Sequence, residues 1–337
     1  MIPHSQLSGK LNTTKAFRAA HSPLREDWIE GCSDVEPRFA FEADAPGAEL
    51  PEELVELADF DERALDQLTS GLPVDQVLIY DSQYPATREA LTAKLDAIDE
   101  TFVRAYKSQR TNPAKPYGAT ELSPYLHFGM VAPWEVAQRV RDCGAPKSYG
   151  YKLLDELLTW REWSHWRMTE DPSLLLYESL PRAARATLDA HRDDLRDPAL
   201  SFEEVLHGQT PDSVFNAAAR CWLETGWLHN NLRMYWAKQV LRFMPSPEQA
   251  WAACCYVNDR LSYDGRDPAT YISMRWAFGE AKPGYRDIPI YGRIMPKSPA
   301  AIFKREGMKA WIEDWSARDT ARLDCADFAE RSALYGI

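Results

Sequence analysis

The chain has 337 residues, with 51 acidic and 39 basic side chains, and a net charge of −12 at pH 7. Hydrophobic residues make up 45% and charged residues 27%, which is ordinary for a globular protein and excludes a disordered, collagen-like or coiled-coil chain. The sequence has no run of 18 apolar residues and its N-terminus lacks the apolar core of a secretion signal. We therefore expect a cytoplasmic protein, without a membrane span, that forms one large or two smaller domains.

The acidic charge is concentrated near the N-terminus. Residues 26–66 hold 15 of the 51 acids and only two bases, Arg38 and Arg63, so the rest of the chain has a net charge of +1. A neutral body of this kind can carry a basic face, which keeps nucleic acid as a possible partner. We interpret the acidic segment as a solvated surface extension. The alternative is that it covers an apolar flank of the main domain.

The six cysteines do not have the spacing of a metal or disulfide site. None forms a CxxC pair, and the only close pair is the adjacent Cys254 and Cys255. We therefore predict reduced, mostly buried thiols and no metal cluster. The 12 tryptophans are more informative, because an indole can stack on a flat ring system as well as fill a core.

The first 84 residues predict little regular structure, because proline and glycine recur there among the acids. The spacing of leucines predicts one helix over 51–69, and residues 75–81 read as a strand or a buried helical turn. Strands do not alternate with helices along the chain, and no GxGxxG motif is present. A parallel-sheet dinucleotide-binding domain is therefore not expected.

From residue 85 onward, apolar side chains recur at helical spacing. They predict helices over 85–107, 150–168, 213–225, 229–243, 247–257 and 308–316, and a further helix that begins at Pro133 and ends before Gly144. Residues 258–300 are rich in glycine and proline and are predicted to be mainly loop. We predict a mostly α fold: a helical domain over residues 85–320, an irregular extension over 1–84 and a tail over 321–337.

Two motifs combine polar groups with aromatic rings. In TELSPYLHFG, residues 120–129, Ser123 before Pro124 is a good helix cap, and the free N–H groups of such an end can bind a phosphate. A plain helix cap is the alternative, favoured on spacing alone. In ELLTWREW, Glu156 and Trp160 are four residues apart on one helix face. The carboxylate could therefore hydrogen-bond the polar edge of a ligand ring while the indole stacks on the face of that ring. A core tryptophan beside a surface acid is the alternative.

Two further motifs are polar stretches next to apolar helices. The first, HNNLRMYW from residue 229, places Asn230 and Arg233 on one face. The second, NDRLSYDGRDP from residue 258, contains Asp264, and we predict that Arg233 and Asp264 form an ion pair. A calcium loop is the alternative for the second stretch, but the ligand spacing of an EF-hand is absent.

Taken together and in order, these motifs resemble the FAD-binding catalytic domain of DNA photolyases, most closely class II cyclobutane pyrimidine dimer photolyases. The resemblance covers residues 85–300 and includes TELSPYLHFG, ELLTWREW, FNAAARCWLETGWLHNNLRMYWAKQVL, NDRLSYDGRDPATYISMRWAFG and PIYGRIM. It implies an all-helical domain that binds FAD and repairs DNA under blue light, by electron transfer from excited reduced FAD to a flipped-out lesion. A cryptochrome-like light sensor and a flavoenzyme acting on another substrate are the alternatives, since relatives share the domain.

The resemblance also implies roles for individual residues. Glu156 would hydrogen-bond the lesion, and Asn258 would lie near N5 of the flavin. Trp160 and Trp276 would stack on the lesion and contact DNA. Arg110 would contact the DNA backbone. Trp236 would be the electron relay next to the flavin. The residues implied to contact FAD are Tyr106, Thr120, Ser123, Asn230, Arg233, Asp264 and Arg266.

The chain departs from the family pattern in two ways. It is too short for the usual N-terminal α/β antenna domain, so no antenna chromophore is expected and FAD would absorb light directly. The next two relay positions hold Phe215 and Phe243, which are poor hole carriers, so photoreduction would be slow or would use Trp222, Trp227 or Tyr235. The expected partner is UV-damaged DNA, bound by a monomer, with the lesion a cyclobutane dimer or a (6-4) product.

Overall fold

The computed structural model describes residues 2–31, 70–71, 83–280, 284–320 and 322–337. Within these ranges the chain is built from helices and contains no β-strand, only a single bridge between Ile288 and Gly292. The prediction of a mostly α fold is confirmed. The helix predicted over 51–69 and the segment 75–81 lie outside the described residues.

The α-helices are numbered here in chain order. They are α1 Thr14–His21, α2 Arg25–Gly31, α3 Arg88–Asp96, α4 Glu100–Gln109, α5 Ser123–His127, α6 Pro133–Asp142, α7 Lys147–Asp155, α8 Glu162–Glu170, α9 Arg182–Ala190, α10 Phe202–Leu206, α11 Ser213–Thr225, α12 Asn230–Phe243, α13 Pro247–Leu261, α14 Pro268–Ala277, α15 Pro299–Phe303, α16 Met308–Ser316 and α17 Phe328–Ser332.

Short polar side chains explain several helix boundaries. Asp212 accepts hydrogen bonds from the second and third N–H groups of α11, and Gly226, in the left-handed region at φ +65°, ends this helix. Asp99 caps α4 in the same way and divides the predicted helix 85–107 into α3 and α4. Asp267 caps α14, and Pro268 occupies its first position. The prediction that residues 258–300 are mainly loop was therefore wrong for 268–277.

The N-terminal extension is not irregular where it is described. Residues 14–31 form α1 and α2, and Arg18 on α1 donates two hydrogen bonds to Asp155, at 2.9 and 3.2 Å. Phe17 packs with Trp163 and Trp166 of α8 in a small apolar cluster. The sequence did not predict α1, because its apolar side consists only of Phe17 and the neighbouring alanines. The tryptophans of α8 supply the other half of this apolar contact.

The C-terminal tail packs against the helical domain. Phe328 of α17 stacks on Phe202, with 3.7 Å between ring centroids, and the Tyr335 hydroxyl donates to the Asp259 carboxylate at 2.9 Å. Tyr335 belongs to the largest apolar cluster. The described part of residues 321–337 therefore packs against the helical domain.

Two large apolar clusters make up the core. One is built from α3 to α7 and includes Tyr106 and Leu122, and the other is built mainly from α11 to α14 and includes Leu228, Ala237 and Met274. Side chains from both clusters face a common cavity. The boundary between the two clusters therefore positions the site.

Candidate functional site

The first cavity has a volume of about 260 Å³ and is lined by both polar and apolar side chains. The loop before α5, the N-terminal half of α12 and the start of α14 form its walls. Nine of the residues singled out in the sequence line this cavity: Tyr106, Arg110, Thr120, Ser123, Glu156, Asn230, Arg233, Asn258 and Asp264.

The predicted ion pair of Arg233 and Asp264 is present on one wall of this cavity. The Arg233 guanidinium donates to Asp264 Oδ1 at 2.8 Å and, through Nε, to the Leu228 carbonyl at 2.9 Å. Both side chains are largely buried, with 14% and 13% of their surface exposed, so the pair is shielded from solvent. The guanidinium also lies over the Trp222 ring, 5.3 Å from its centroid. These contacts hold a cation in a fixed position at the cavity wall.

Asn258 provides a neutral amide on another part of the wall. The side chain is 4% exposed, and its nitrogen donates to the Cys254 carbonyl at 2.8 Å and contacts Met274 Sδ at 3.5 Å. The orientation of the amide is therefore set by its own helix, α13, and by α14. The segment from Thr120 to Ser123 also lines the cavity, and Glu121 within it has a positive φ of +55°.

A second cavity, of about 440 Å³, adjoins the first. Nine residues line both cavities, so the two spaces are continuous. The second cavity adds Trp160 and Trp276, whose rings are 4.9 Å apart at 80° and form a corner. Trp276 is 36% exposed, which places it at the surface opening. Flat aromatic walls of this kind suit a stacked ring.

Glu156 and Trp160 do not lie on a regular α-helix. Residues Glu156–Arg161 form a π-helical turn between α7 and α8. Such single turns are rare and often occur at functional sites, because they change the direction of side chains within a helix. The prediction of one continuous helix over 150–168 missed this turn. Local spacing carries no signal for it, since the surrounding residues are ordinary helix formers.

The Glu156 carboxylate lies where the two cavities meet and has three partners. Arg110 Nη1 is 2.7 Å from Oε1, Lys152 Nζ is 3.2 Å from the same oxygen, and the Tyr106 hydroxyl donates to Oε2. Burial and the carboxylate together raise the pKa of Tyr106, so this hydroxyl stays protonated. Lys152 was not identified from the sequence, although its position four residues before Glu156 is the ordinary helical spacing of an ion pair.

A second charged cluster lies at the edge of the second cavity. Asp267 is 7% exposed, and its carboxylate is within 3.5 Å of a ring nitrogen of both His127 and His165, and 3.8 Å from Arg161. Burial alone would raise the pKa of Asp267, but these partners hold it well below its usual value. The contact with Asp267 raises the pKa of His127. Its members come from three separate segments of the chain, so local spacing in the sequence does not indicate this cluster.

Two of the predicted site residues lie outside both cavities. Arg266 is exposed in the left-handed region at φ +63°, and its backbone N–H donates to Asp259 Oδ1 at 3.3 Å. Its predicted contact with FAD therefore stays a prediction. Trp236 is 1% exposed, with its ring stacked on Phe215 at 5.0 Å between centroids and in edge contact with Trp222 at 5.7 Å.

Comparison with known proteins decides the family. No family model matches the chain. Two similar proteins, both named deoxyribodipyrimidine photo-lyase, are 32% identical to it: one from Oryza sativa subsp. japonica over 233 residues, and one from Methanothermobacter thermautotrophicus over 192 residues. The chain belongs to the photolyase/cryptochrome family. The aligned regions cover 67% and 57% of this chain but 45% and 42% of those relatives, so the chain spans less than half of their length.

Solved structures of family members share the fold. A class III photolyase from Agrobacterium tumefaciens matches 91% of this chain and 67% of its own, with a TM-score of 0.56 and 18% identity. The alignment with a cryptochrome from Synechocystis sp. PCC6803 covers 99% of this chain and 70% of the cryptochrome, with a TM-score of 0.52 and 15% identity. These likenesses support the fold alone. They agree with the helical domain described here.

The residues of the first cavity fit a flavin dinucleotide. The cavity has a fixed cation at Arg233, an oriented neutral amide at Asn258, and a buried ring nitrogen, His229 Nε2, that lacks a hydrogen-bond partner in the described part of the chain. A polar, elongated ligand could use all three groups. Across the described ranges, no three His, Cys, Asp or Glu side chains come together as a metal site, and no helix has the length and hydropathy of a membrane span.

Proposed function

We propose that this protein is a deoxyribodipyrimidine photolyase that repairs cyclobutane pyrimidine dimers in DNA under blue light, with FAD in the first cavity and the lesion in the second. The observation that carries the proposal is the continuity of the two cavities through Glu156. A light-driven electron transfer needs donor and acceptor in near contact, and a shared boundary supplies that contact. The names of the similar proteins and the retained pair Trp160 and Trp276 support the same activity.

In this proposal the first cavity holds FAD through contacts from its own walls. Thr120 and Ser123 would bind the phosphates and ribityl chain, and Asn230 would support them from α12. Arg233, fixed by Asp264, would lie beside the flavin ring and Asn258 near its N5 atom. A cation and an oriented amide lower the free energy of a bound ring that carries negative charge. Reduced FAD, when bound, would supply one electron to the lesion after excitation by blue light and recover it after ring opening.

The second cavity would receive the lesion after it leaves the duplex. Flipping a damaged dinucleotide costs less than flipping an intact one, because the lesion is already poorly stacked. The corner formed by Trp160 and Trp276 would stack on the exposed ring faces, and the Glu156 carboxylate would accept hydrogen bonds from a base edge. In the free protein, the positive charges of Arg110 and Lys152 offset the negative charge of this carboxylate. Arg110 would also be free to turn toward a DNA phosphate near the opening.

The direct test is light-driven repair of a defined thymine cyclobutane dimer. Purified protein with reduced FAD would be mixed with a dimer-containing oligonucleotide, and restored thymines would be measured under blue light and in the dark. The proposal predicts repair in the light alone, and at least a tenfold loss in a Glu156→Ala variant that still binds FAD. No repair by flavin-loaded protein would contradict the proposal and favour a (6-4) substrate or a light-sensing role.

A further inference from the structure

Two arginines near the N-terminus contact the π-helical turn Glu156–Arg161. Arg18 of α1 donates to the Asp155 carboxylate, directly before the turn, through Nε at 2.9 Å and Nη2 at 3.2 Å. Arg25, the first residue of α2, donates through Nη2 to the Thr159 hydroxyl oxygen, within the turn. The two contacts join segments that are 137 and 134 positions apart, so only the folded chain brings them together.

The two contacted side chains are sequence neighbours of the residues that we expect to recognise the lesion. Asp155 directly precedes Glu156, and Thr159 directly precedes Trp160. Both contacted side chains are buried, Thr159 completely. Glu156 and Trp160 in turn line the second cavity. A small displacement of Asp155 or Thr159 would therefore move a wall of that cavity.

The contact of Arg25 with Thr159 is part of a larger hydrogen-bonded network. His21 Nδ1 accepts from Arg25 Nε at 2.9 Å. Burial, and next the charge of Arg25, lower the pKa of His21 to about 3, so this acceptor stays neutral. Burial alone would raise the pKa of Asp155, but hydrogen bonds from the Arg18 and Thr159 side chains hold it below its usual value. Since a hydroxyl can donate one hydrogen bond and accept others, Thr159 links Asp155 to Arg25.

Other contacts hold α2 on the domain without reaching the turn. Arg141 Nη2 lies 2.7 Å from Glu26 Oε1, and the Gln138 side chain donates to the Ile29 carbonyl at 2.8 Å. Both of these contacts are made with α6. A variant at Arg141 therefore weakens the docking of α2 and leaves the contact of Arg25 with the turn in place.

We propose that Arg25 is a positioning residue for lesion recognition, which acts through Thr159 to hold the π-helical turn. Groups that bind a substrate keep their geometry only where neighbouring side chains fix them by packing and hydrogen bonds. A misplacement of about 1 Å in such a group can reduce a rate about 100-fold. The effect on the lesion rests on the proposed function, whereas the support of the turn by Arg25 does not.

The first test measures lesion discrimination in the dark by the full chain loaded with FAD. Dissociation constants would be measured for a dimer-containing oligonucleotide and for its undamaged counterpart. In Arg25→Met we expect the preference for the dimer to fall at least fivefold, with flavin content and affinity for undamaged DNA unchanged. Arg141→Met is the matched control and should keep the preference of the unchanged chain. An unchanged preference in Arg25→Met, or an equal loss in Arg141→Met, would overturn the proposal.

A pair of substitutions at Thr159 tests the same link without changing Arg25. Thr159→Val keeps the shape of the side chain and removes the hydroxyl, whereas Thr159→Ser keeps the hydroxyl. We expect Thr159→Val to lose the preference for the dimer as Arg25→Met does, and Thr159→Ser to stay within twofold of the unchanged chain. Full preference in Thr159→Val would show that the hydroxyl does not transmit the effect of Arg25. This pair decides the question if Arg25→Met folds poorly.

Hydrogen exchange separates a failure of this proposal from a failure of the proposed function. Exchange of the backbone amides of residues 156–162 would be followed by mass spectrometry in the protein without DNA. Arg25→Met and Thr159→Val should speed this exchange at least tenfold, and Arg141→Met should not. If the unchanged chain shows no preference for the dimer while exchange responds in this way, the proposed function is wrong and the support of the turn stands. If exchange does not respond, Arg25 does not hold the turn.

Discussion

The Arg110 guanidinium lies 2.7 Å from the Glu156 carboxylate, at the point where the two cavities meet. The two residues are 46 positions apart: Arg110 directly follows α4, and Glu156 begins the π-helical turn after α7. Tyr106, one helical turn before Arg110, donates to the other carboxylate oxygen. In the free protein Glu156 is therefore held in place by groups on α4. A substrate that bonds the carboxylate must compete with these contacts or add to them.

Removing the charge of Glu156 should reduce repair and leave the cofactor in place. Glu156→Gln keeps the size of the side chain but makes a weaker acceptor, so we expect at least a tenfold loss of light-driven repair. Tyr106→Phe removes one donor to the same carboxylate and should cost less. Repair rates and flavin content of both variants would be measured together. Equal repair by Glu156→Gln and the unchanged chain would contradict a direct role for the carboxylate.

Breaking the Arg233 and Asp264 pair should release the cofactor. Asp264→Asn leaves a largely buried guanidinium without its counterion, and the loss of such a partner costs about 3–5 kcal/mol in fully buried pairs. We expect a lower flavin-to-protein absorbance ratio after gel filtration. Asp314→Asn removes an exposed partner of Arg318 and serves as the control. Full flavin retention by Asp264→Asn would show that the pair does not support the cofactor.

Tryptophan at the two phenylalanine positions should speed photoreduction. Trp236 stacks on Phe215, which contacts Phe243 edge-on at 5.6 Å between centroids, so the three rings form a continuous path. In the double variant Phe215→Trp/Phe243→Trp we expect faster reduction of oxidised FAD under blue light with an external thiol as the electron source. Trp222→Phe tests the alternative path through the Trp222 ring, whose centroid is 5.7 Å from that of Trp236. No gain in the double variant, with a loss in Trp222→Phe, would favour the second path.

Acidification below neutral pH should destabilise the fold through two buried histidines. Burial lowers the pKa of His21 to about 3 and that of His229 to about 4, so both are neutral in the folded protein. The unfolded chain binds protons at a pKa near 6.5, so stability is complete above that pH and falls as the pH drops. Each histidine should remove about 2 kcal/mol of unfolding free energy between pH 7.5 and 5.

Urea unfolding at the two pH values measures this effect. His21→Gln and His229→Asn both keep a hydrogen-bond acceptor, so a comparison with the unchanged chain isolates the titration. The double variant should lose less stability on acidification. An unchanged pH dependence in the double variant would contradict the assignment.

The contact of Arg18 with Asp155 should contribute measurably to the free energy of unfolding, although Arg18 lies near the N-terminus. Asp155 is 7% exposed at its side chain, and it directly precedes the turn that carries Glu156 and Trp160. Arg18→Met should lower the unfolding free energy by about 2 kcal/mol, because a charged hydrogen-bonding group is left buried. Arg139→Met removes an exposed pair with Asp96 and should cost under about 1 kcal/mol. Equal effects of the two variants on denaturant unfolding would contradict a supporting role for α1.

The sequence by itself determined the helical class and the pairing of Arg233 with Asp264. The first follows from the helical spacing of apolar side chains, and the second from opposite charges in two polar segments. The family motifs also predicted nine of the residues that line the first cavity. Arg266, within the same family motif, is exposed at a positive φ and lines neither cavity, so its predicted contact with FAD stays a prediction.

The tertiary structure alone decided which distant groups share a partner. It joined Arg110, Glu156 and Tyr106, placed α1 against Asp155, and brought Lys297 and Arg305 to Asn231. Local spacing reports which side chains share a helix face, but the distance between two helices depends on how their apolar faces pack. Buried charges therefore acquire their partners only when the chain is folded, and their chemistry is determined at that level.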